Sequence, residues 1–446
     1  MNRTFIDGDD TDHRVAFHTL GCKVNQYDTQ AMQEKFIQNG YEIVEFSNNA
    51  DVYVINTCTV TSLGDKKSRQ MIRRANRLNP DAVIAVVGCY AQTAPDEILG
   101  ISGVNLILGT EDRNRIVEFT ERVQKTGIPI NGVHDIMKVV EFEEMPITSY
   151  EEKTRAVLKV QEGCNRYCSY CIIPYARGPI RSRKLDDVLK QVKKLVGQGF
   201  QEFVLTGIHV ASYGKDLEGV DLLTLIQHIA RIEGVKRIRL GSLEPTLLTE
   251  EFVVAIGDIP KVCRHYHLSL QSGNDSTLKR MNRRYTSSEY GEIVNRLRKH
   301  IPDVAITTDI MVGFPGETEE EFQGTMDFVS SIGFSRIHVF KYSPREGTPA
   351  ATYRDQVSGD LKETRSKELI DLGHKMESSY LKSFIGKKMN VLLEEESRDG
   401  HDWYEGYSDH YIRVIAQGDN NLIGQIITVL IEEQLNNKLK GTIIKY

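Results

Sequence analysis

The chain has 446 residues, 40% of them apolar, and a formal net charge of −6. That length allows about two to four cored domains. The mild acidity excludes a global polycation, so any RNA contact has to come from local basic patches. No apolar run reaches the length of a membrane-spanning helix, and no membrane partner is expected. Seven cysteines, an odd number in a long chain, favour a reducing cytoplasm and metal ligation over disulfides. The polar, acidic start, Met1 to His13, reads as a frayed tail rather than a signal peptide.

Residues 14–125 alternate strand and helix patterns. Strands are predicted at Val15–Leu20, Tyr41–Phe46, Asp51–Asn56, Ala82–Val87 and Asn105–Leu108. Helices are predicted at Asn25–Gln38, stopped by Asn39-Gly40, at Ser62–Leu78 and at Arg113–Gln124. The β-branched run Ala82–Val87 suits a strand covered on both faces. The expectation is a doubly wound parallel sheet. Cys22, Cys58 and Cys89 each fall just past a strand, at the sheet edge where such folds bind ligands. Three thiols distant in sequence are therefore expected to meet. The plainer alternative is three buried structural cysteines.

The helix after Cys58 carries Lys66, Arg69, Arg73 and Arg77 three or four residues apart, on one face. Such a stripe suits phosphate contacts, and the four are candidate RNA-binding residues. Two weaker basic runs, Arg177–Lys184 and Lys279–Arg284, follow later; the first directly follows a cysteine loop and could pack near a cofactor instead.

Residues 150–375 contain six strand–helix units, with strands near Ala156–Gln161, Phe203–Thr206, Arg237–Gly241, Tyr266–Leu270, Ala305–Val312 and Arg336–Tyr342. Six units suit an incomplete barrel with its site at the C-terminal ends of the strands. After the first strand comes Gly163-Cys164-Asn165-Arg166-Tyr167-Cys168-Ser169-Tyr170-Cys171. Three cysteines in one loop can ligate three irons of a four-iron cluster and leave one free. A structural zinc site would need a fourth ligand, but the next cysteine is Cys263, expected to be a buried structural thiol.

This loop resembles the C-x3-C-x-aromatic-C signature of the radical S-adenosylmethionine enzymes, with Tyr170 in the aromatic place. The resemblance implies a cluster on Cys164, Cys168 and Cys171 whose free iron chelates S-adenosylmethionine. One-electron cleavage then gives a 5′-deoxyadenosyl radical. It also implies cofactor contacts at the strand ends, with Tyr170, Gly207, Ser242, Glu244 and Gln271 as candidates. Thr206-Gly207-Ile208 stands where the superfamily commonly has Gly-Gly-Glu.

Residues 383–446 show five short strand-like runs, Lys388–Glu394, Trp403–Tyr407, Tyr411–Ala416, Ile423–Leu430 and Leu439–Tyr446, which suggest a small β-barrel. The segment resembles the RNA-binding TRAM domain, yet holds more acidic than basic residues. Trp403, Tyr404, Tyr407 and Tyr411 could stack on bases or fill a core.

With Leu20-Gly21-Cys22-Lys23-Val24-Asn25-Gln26, Asn56-Thr57-Cys58-Thr59-Val60-Thr61 and Val87-Gly88-Cys89-Tyr90, nearly the whole chain resembles the methylthiotransferases. That resemblance implies a second, auxiliary cluster on Cys22, Cys58 and Cys89. Two 4Fe-4S clusters and S-adenosylmethionine are the implied cofactors. The implied partners are tRNA, an electron donor and a sulfur donor. The Lys-Val-Asn after Cys22 looks most like the branch acting at C2 of N6-threonylcarbamoyladenosine-37 of tRNA. Alternatives are isopentenyladenosine-37, a ribosomal-protein aspartate, a radical enzyme whose auxiliary cluster only relays electrons, and a non-catalytic iron–sulfur RNA-binding protein or cluster carrier.

Overall fold

The structure, a computed structural model, describes residues 13–148, 154–398 and 400–445. The predicted frayed tail, apart from His13, and the final residue of the last predicted strand lie outside the described residues. The chain divides into two compact units, the first comprising residues up to 139 with 143–147 and 175–178, the second the remainder.

The first unit is built on a six-stranded sheet of β1 (Arg14–Thr19), β2 (Glu42–Val44), β3 (Val52–Thr57), β4 (Val83–Gly88), β5 (Val104–Ile107) and β6 (Ile130–Asn131), in the order β2-β1-β3-β4-β5-β6. Every neighbouring pair is parallel. β4 shows why: Val83, Ala85 and Val87 join one apolar cluster with Phe36 and Val123, while Ile84 and Val86 join another with Ile72 and Ile98. Alternate side chains point to opposite faces, so helices Lys23–Gln38 and Ile116–Thr126 cover one face and Ser62–Leu78 the other. The two-residue β6 and the short helices Cys89–Thr93 and Pro95–Leu99 are additions to the sequence expectation.

The second unit holds the parallel strands β7 (Arg155–Glu162), β9 (Glu202–Gly207), β10 (Arg237–Leu240), β11 (His265–His267), β12 (Ala305–Val312) and β13 (Arg336–Lys341), with the short antiparallel β8 (Arg181–Ser182) on the edge of β7. A four-stranded sheet β10-β9-β7-β8 and a three-stranded sheet β11-β12-β13 are linked by single parallel bridges, Ile238 to Val262 and Leu243 to Leu268. Together they form a partial barrel. Each predicted barrel strand is present.

The same unit ends in a closed barrel of β14 (Lys388–Glu396), β15 (Trp403–Ser408), β16 (Arg413–Gln417), β17 (Ile426–Leu435) and β18 (Lys438–Lys445), ordered β14-β15-β16-β18-β17. It docks on the N-terminal ends of the partial-barrel strands. Arg237 reaches Tyr407 O at 3.0 Å and Asn390 O at 2.7 Å; Arg239 reaches Ser408 O at 2.9 Å. Glu202 accepts from Arg239 at 2.7 Å, and Arg155 pairs with Glu394 at 2.5 Å. Tyr411 stacks on Tyr407, lies 4.9 Å from the His265 ring and sits under the Arg239 guanidinium. Tyr404 is buried in the barrel core. Tyr404, Tyr407 and Tyr411 are thus engaged in core and docking contacts, and half-buried Trp403 lies under the Lys440 ammonium, 5.0 Å from its ring centroid.

Candidate functional site

In the first unit the chain reverses direction across the sheet between β1 and β3, the position where an open α/β sheet offers a crevice. Cys22 and Cys58 follow those two strands, and Cys89 opens the helix after β4. Cys22 is the N-cap of Lys23–Gln38, yet its side chain makes no capping bond and is exposed. The helix N-terminus favours negative charge there. Gly21, at φ +104°, carries the turn: a Cβ on it would lie 2.8 Å from Cys58 Cβ and 3.0 Å from its Sγ. The Leu20-Gly21-Cys22 turn therefore rests directly on Cys58.

Asparagines lock this arrangement. Asn25 Nδ2 donates to Leu20 O at 2.7 Å and Thr57 O at 2.9 Å; Asn56 Nδ2 donates to Asn25 O at 2.9 Å. The three thiols influence one another. Burial pushes the Cys89 thiol up to about 11; Arg177 opposes this and the Cys22 and Cys58 thiols add to it. Burial likewise raises Cys58, against the Val60 amide and with help from Cys22.

No motif in the sequence ties Arg177 to these cysteines, yet it joins them. It belongs to the first unit and its guanidinium is fully buried. Nε donates to Cys89 Sγ at 3.1 Å, Nη1 reaches Asp28 Oδ2 at 3.2 Å, and Nη2 donates to Asn25 Oδ1. Asp28 also pairs with the buried Arg113, which reaches Glu143 at 3.0 Å. A buried cation thus touches one of the three cysteines.

In the second unit the 163–171 loop leaves β7 at its C-terminal end. Gln161 shapes its start, donating from Nε2 to Glu162 O at 2.5 Å and Gly163 O at 2.7 Å while Oε1 accepts from the His209 amide at 2.6 Å. Ser169 anchors its end: its amide donates to Met281 O at 3.0 Å and its hydroxyl to Arg280 O at 2.7 Å. The Cys171 amide donates to Cys168 O at 2.9 Å. Burial raises Cys164 to about 11 and Cys171 to about 12, and in each case the Cys168 thiol adds to the shift. The three thiols of the loop are close enough to act on one another electrostatically.

Arg283, read from the sequence as part of a weak RNA-contact run, instead points inward. It reaches Cys168 Sγ at 3.4 Å, Glu244 at 3.1 Å, Ser269 O at 3.0 Å and Tyr285 Oη at 2.9 Å. Arg280 of the same run pairs with Glu321. In the Arg177–Lys184 run, Arg181 and Arg183 are also buried. A run of basic letters does not distinguish solvent from interior, and only the fold does so here.

The candidate cofactor contacts separate. Glu244 is buried and ion-paired to Arg283; burial acts to raise its carboxyl, but His209 and Arg283 outweigh it and hold the group below the usual range. Tyr170 packs edge-on to Phe314 at 6.4 Å beside Met281 and Met311. Gly207 ends β9, where a Cβ would meet Gln161 at 2.9 Å, so close strand approach already accounts for this glycine. Ser242 is exposed just past β10. Gln271, at φ +69°, bridges to β12 through its backbone. Of the basic stripe, Lys66, Arg73 and Arg77 are exposed, whereas Arg69 is held by Tyr90 Oη at 2.7 Å and Glu97 at 3.0 Å.

Residues 158–329 match the radical SAM superfamily, and residues 14–109 match the family described as uncharacterized protein family UPF0004. The chain is 46% identical over 94% of its length, and 93% of the relative's, to the threonylcarbamoyladenosine tRNA methylthiotransferase MtaB of Bacillus subtilis. Identity to the Aquifex aeolicus protein of the same name is 40%, over 94% of this chain and all of that one. A Clostridium tetani tRNA-2-methylthio-N(6)-dimethylallyladenosine synthase is 37% identical over 95% and 94% of the two chains. Among solved structures, the radical S-adenosylmethionine methyltransferase TsrM of Kitasatospora setae superposes with a TM-score of 0.58 at 16% identity, covering 76% of this chain and 77% of that one, a likeness of fold. The cysteine loop at the mouth of a partial barrel, the parallel sheet before it and the full-length relatives agree: the chain belongs to the radical S-adenosylmethionine tRNA methylthiotransferase family.

Proposed function

We propose that this enzyme methylthiolates C2 of N6-threonylcarbamoyladenosine at position 37 of tRNA, replacing C2–H by C2–S–CH3. The observation that carries this reading is the 46% identity to a threonylcarbamoyladenosine tRNA methylthiotransferase over 94% of the chain. Two separate cysteine triads support it, since abstracting a hydrogen and delivering a sulfur are different tasks. On this reading Cys164, Cys168 and Cys171 hold one 4Fe-4S cluster and Cys22, Cys58 and Cys89 an auxiliary one. When bound, the clusters and S-adenosylmethionine supply the hydrogen-abstracting radical, the sulfur and the methyl group.

The chain's own residues do the positioning. Gln161 and Ser169 fix the two ends of the radical loop, and Arg283 offsets negative charge beside Cys168. Arg177 does the same beside Cys89. Because Cys89, Cys164 and Cys171 are neutral thiols at pH 7 in the metal-free protein, loading iron must release protons. The exposed Lys66, Arg73 and Arg77 contact tRNA phosphates, and the terminal barrel is read as a TRAM-like RNA-binding module. Unidentified electron and sulfur donors complete the set of partners, in the cytoplasm.

The test is mass spectrometry of bulk tRNA nucleosides from cells lacking the gene and from cells given it back intact or as Cys164→Ala. The expected result is loss of the methylthio-threonylcarbamoyl nucleoside, restored by the intact gene alone. Loss of the dimethylallyl counterpart instead would keep the chemistry and overturn the substrate. With Cys58→Ala, cofactor cleavage without methylthio product is expected; full product would overturn the auxiliary assignment.

A further inference from the structure

The last three barrel strands turn one face inward. On β13, Ile337 lies against Gly373 of the outer helix Gly359–Lys382, and Lys341 pairs with its Glu363 at 2.6 Å. By alternation His338 and Phe340 face the interior. On β12, Thr308 meets the hydroxyl of Tyr290 in the outer helix Ser287–His300, so Asp309 and Met311 face inward. The register sets Asp309 beside His338 and Met311 beside Phe340. His267, at the end of β11, places Nε2 3.1 Å from Asp309 Oδ2 and Nδ1 3.0 Å from Thr307 Oγ1, with its ring 6.0 Å from that of His338.

A wall serving only as core would be apolar and closed. This one leaves His338 exposed, with no hydrogen bond or ion pair among the described residues, and Phe340 50% exposed. Met311 packs in the cluster that holds Tyr170, so the wall continues up to the radical loop. Arg336, two residues before His338, is turned to Glu377 of the outer helix at 3.1 Å and is occupied there.

We propose that this wall is the subsite for the N6 substituent of the target adenosine, a side chain bearing a carboxylate and a hydroxyl. Phe340 offers a face for the purine, His338 donates to the carboxylate, and Asp309, oriented by His267, accepts from the hydroxyl. A threonylcarbamoyl group carries both functions, whereas a dimethylallyl group carries neither and would leave the His338 donor unmatched and Asp309 paired with His267 alone. The subsite deepens the proposed function and rests on it.

The test measures dissociation constants of the cluster-loaded full chain for one tRNA in two forms, with and without threonylcarbamoyl at position 37. Wild type should prefer the modified form. His338→Leu should cut that preference at least about tenfold, the loss of one hydrogen bond to a charged group. His338→Gln, which keeps a donor, should recover part of it. Phe340→Ala should weaken both forms alike by about tenfold and leave their ratio unchanged. Because the readout is a ratio on one protein, a general loss of folding cancels. Equal binding of the two tRNAs by wild type, or an unchanged ratio in His338→Leu, overturns the subsite. Nucleoside analysis of the same mixtures judges the reaction separately: a preference erased by His338→Leu, with no methylthio product from wild type, would sink the proposed reaction and leave the subsite standing.

Discussion

Arg177 and Arg283 perform the same service in different units, each placing a buried guanidinium on a cysteine sulfur and a carboxylate. Removing one partner of such a group leaves the other buried and uncompensated, at a cost of about 3–5 kcal/mol. Arg177→Met should therefore destabilise the first unit by about that amount, seen as a lowered thermal midpoint and reduced iron content with the radical loop mutated to alanine. Arg177→Met at wild-type stability would show that Asp28 is neutralised by Arg113 alone. These residues also mark where sequence reading stops. The loop cysteines stood out by their spacing, and Cys22, Cys58 and Cys89 by their places just past strands. Arg283 was not, because a basic run looks the same whether its side chains reach phosphate or a buried sulfur. Gln161 was equally silent: nothing in its neighbourhood in sequence announces that its amide will shape the following loop. Cys263, expected to be a structural thiol, is buried as such, with its thiol raised to about 12 by burial.

At the level of elements, strands sealed on both faces advertise themselves as apolar, β-branched runs, so β3 and β4 lie close to their predicted spans, whereas β11 is three residues long and shares only Tyr266 and His267 with its predicted span. Short elements such as β6 had no periodicity to show. The basic helix Ser62–Leu78 was legible as a helix, but its stripe is uneven. Arg69 is committed to Tyr90 and Glu97, whereas Lys66, Arg73 and Arg77 are exposed. Replacing those three with alanine should weaken tRNA binding and reduce the slope of log K against log salt by about two to three. Arg69→Ala should change that slope by less than one and act mainly on the packing of Tyr90. An unchanged slope in the triple variant would remove this helix from the RNA surface.

Across the second unit, the terminal barrel is fastened by charge. Glu202, Arg237 and Arg239 lie at the starts of β9 and β10, and two of the three bond directly to barrel carbonyls. Arg239→Met should loosen the barrel by about 3–5 kcal/mol, detected as faster proteolytic release of a fragment beginning near residue 383. Release at the wild-type rate would mean that packing alone holds it. Such fastening was invisible in the sequence, since partners here are up to 239 residues apart. Its position has a further consequence. The cysteine loop leaves the far end of the same strands, and β7 runs eight residues from Arg155 at the docked end to Glu162 beside the loop, about 25 Å. The appended barrel is therefore a floor and not a lid, bonded at the end of the strands opposite the cysteine loop. The docked end and the cysteine loop are thus held about one strand's length apart within a single unit.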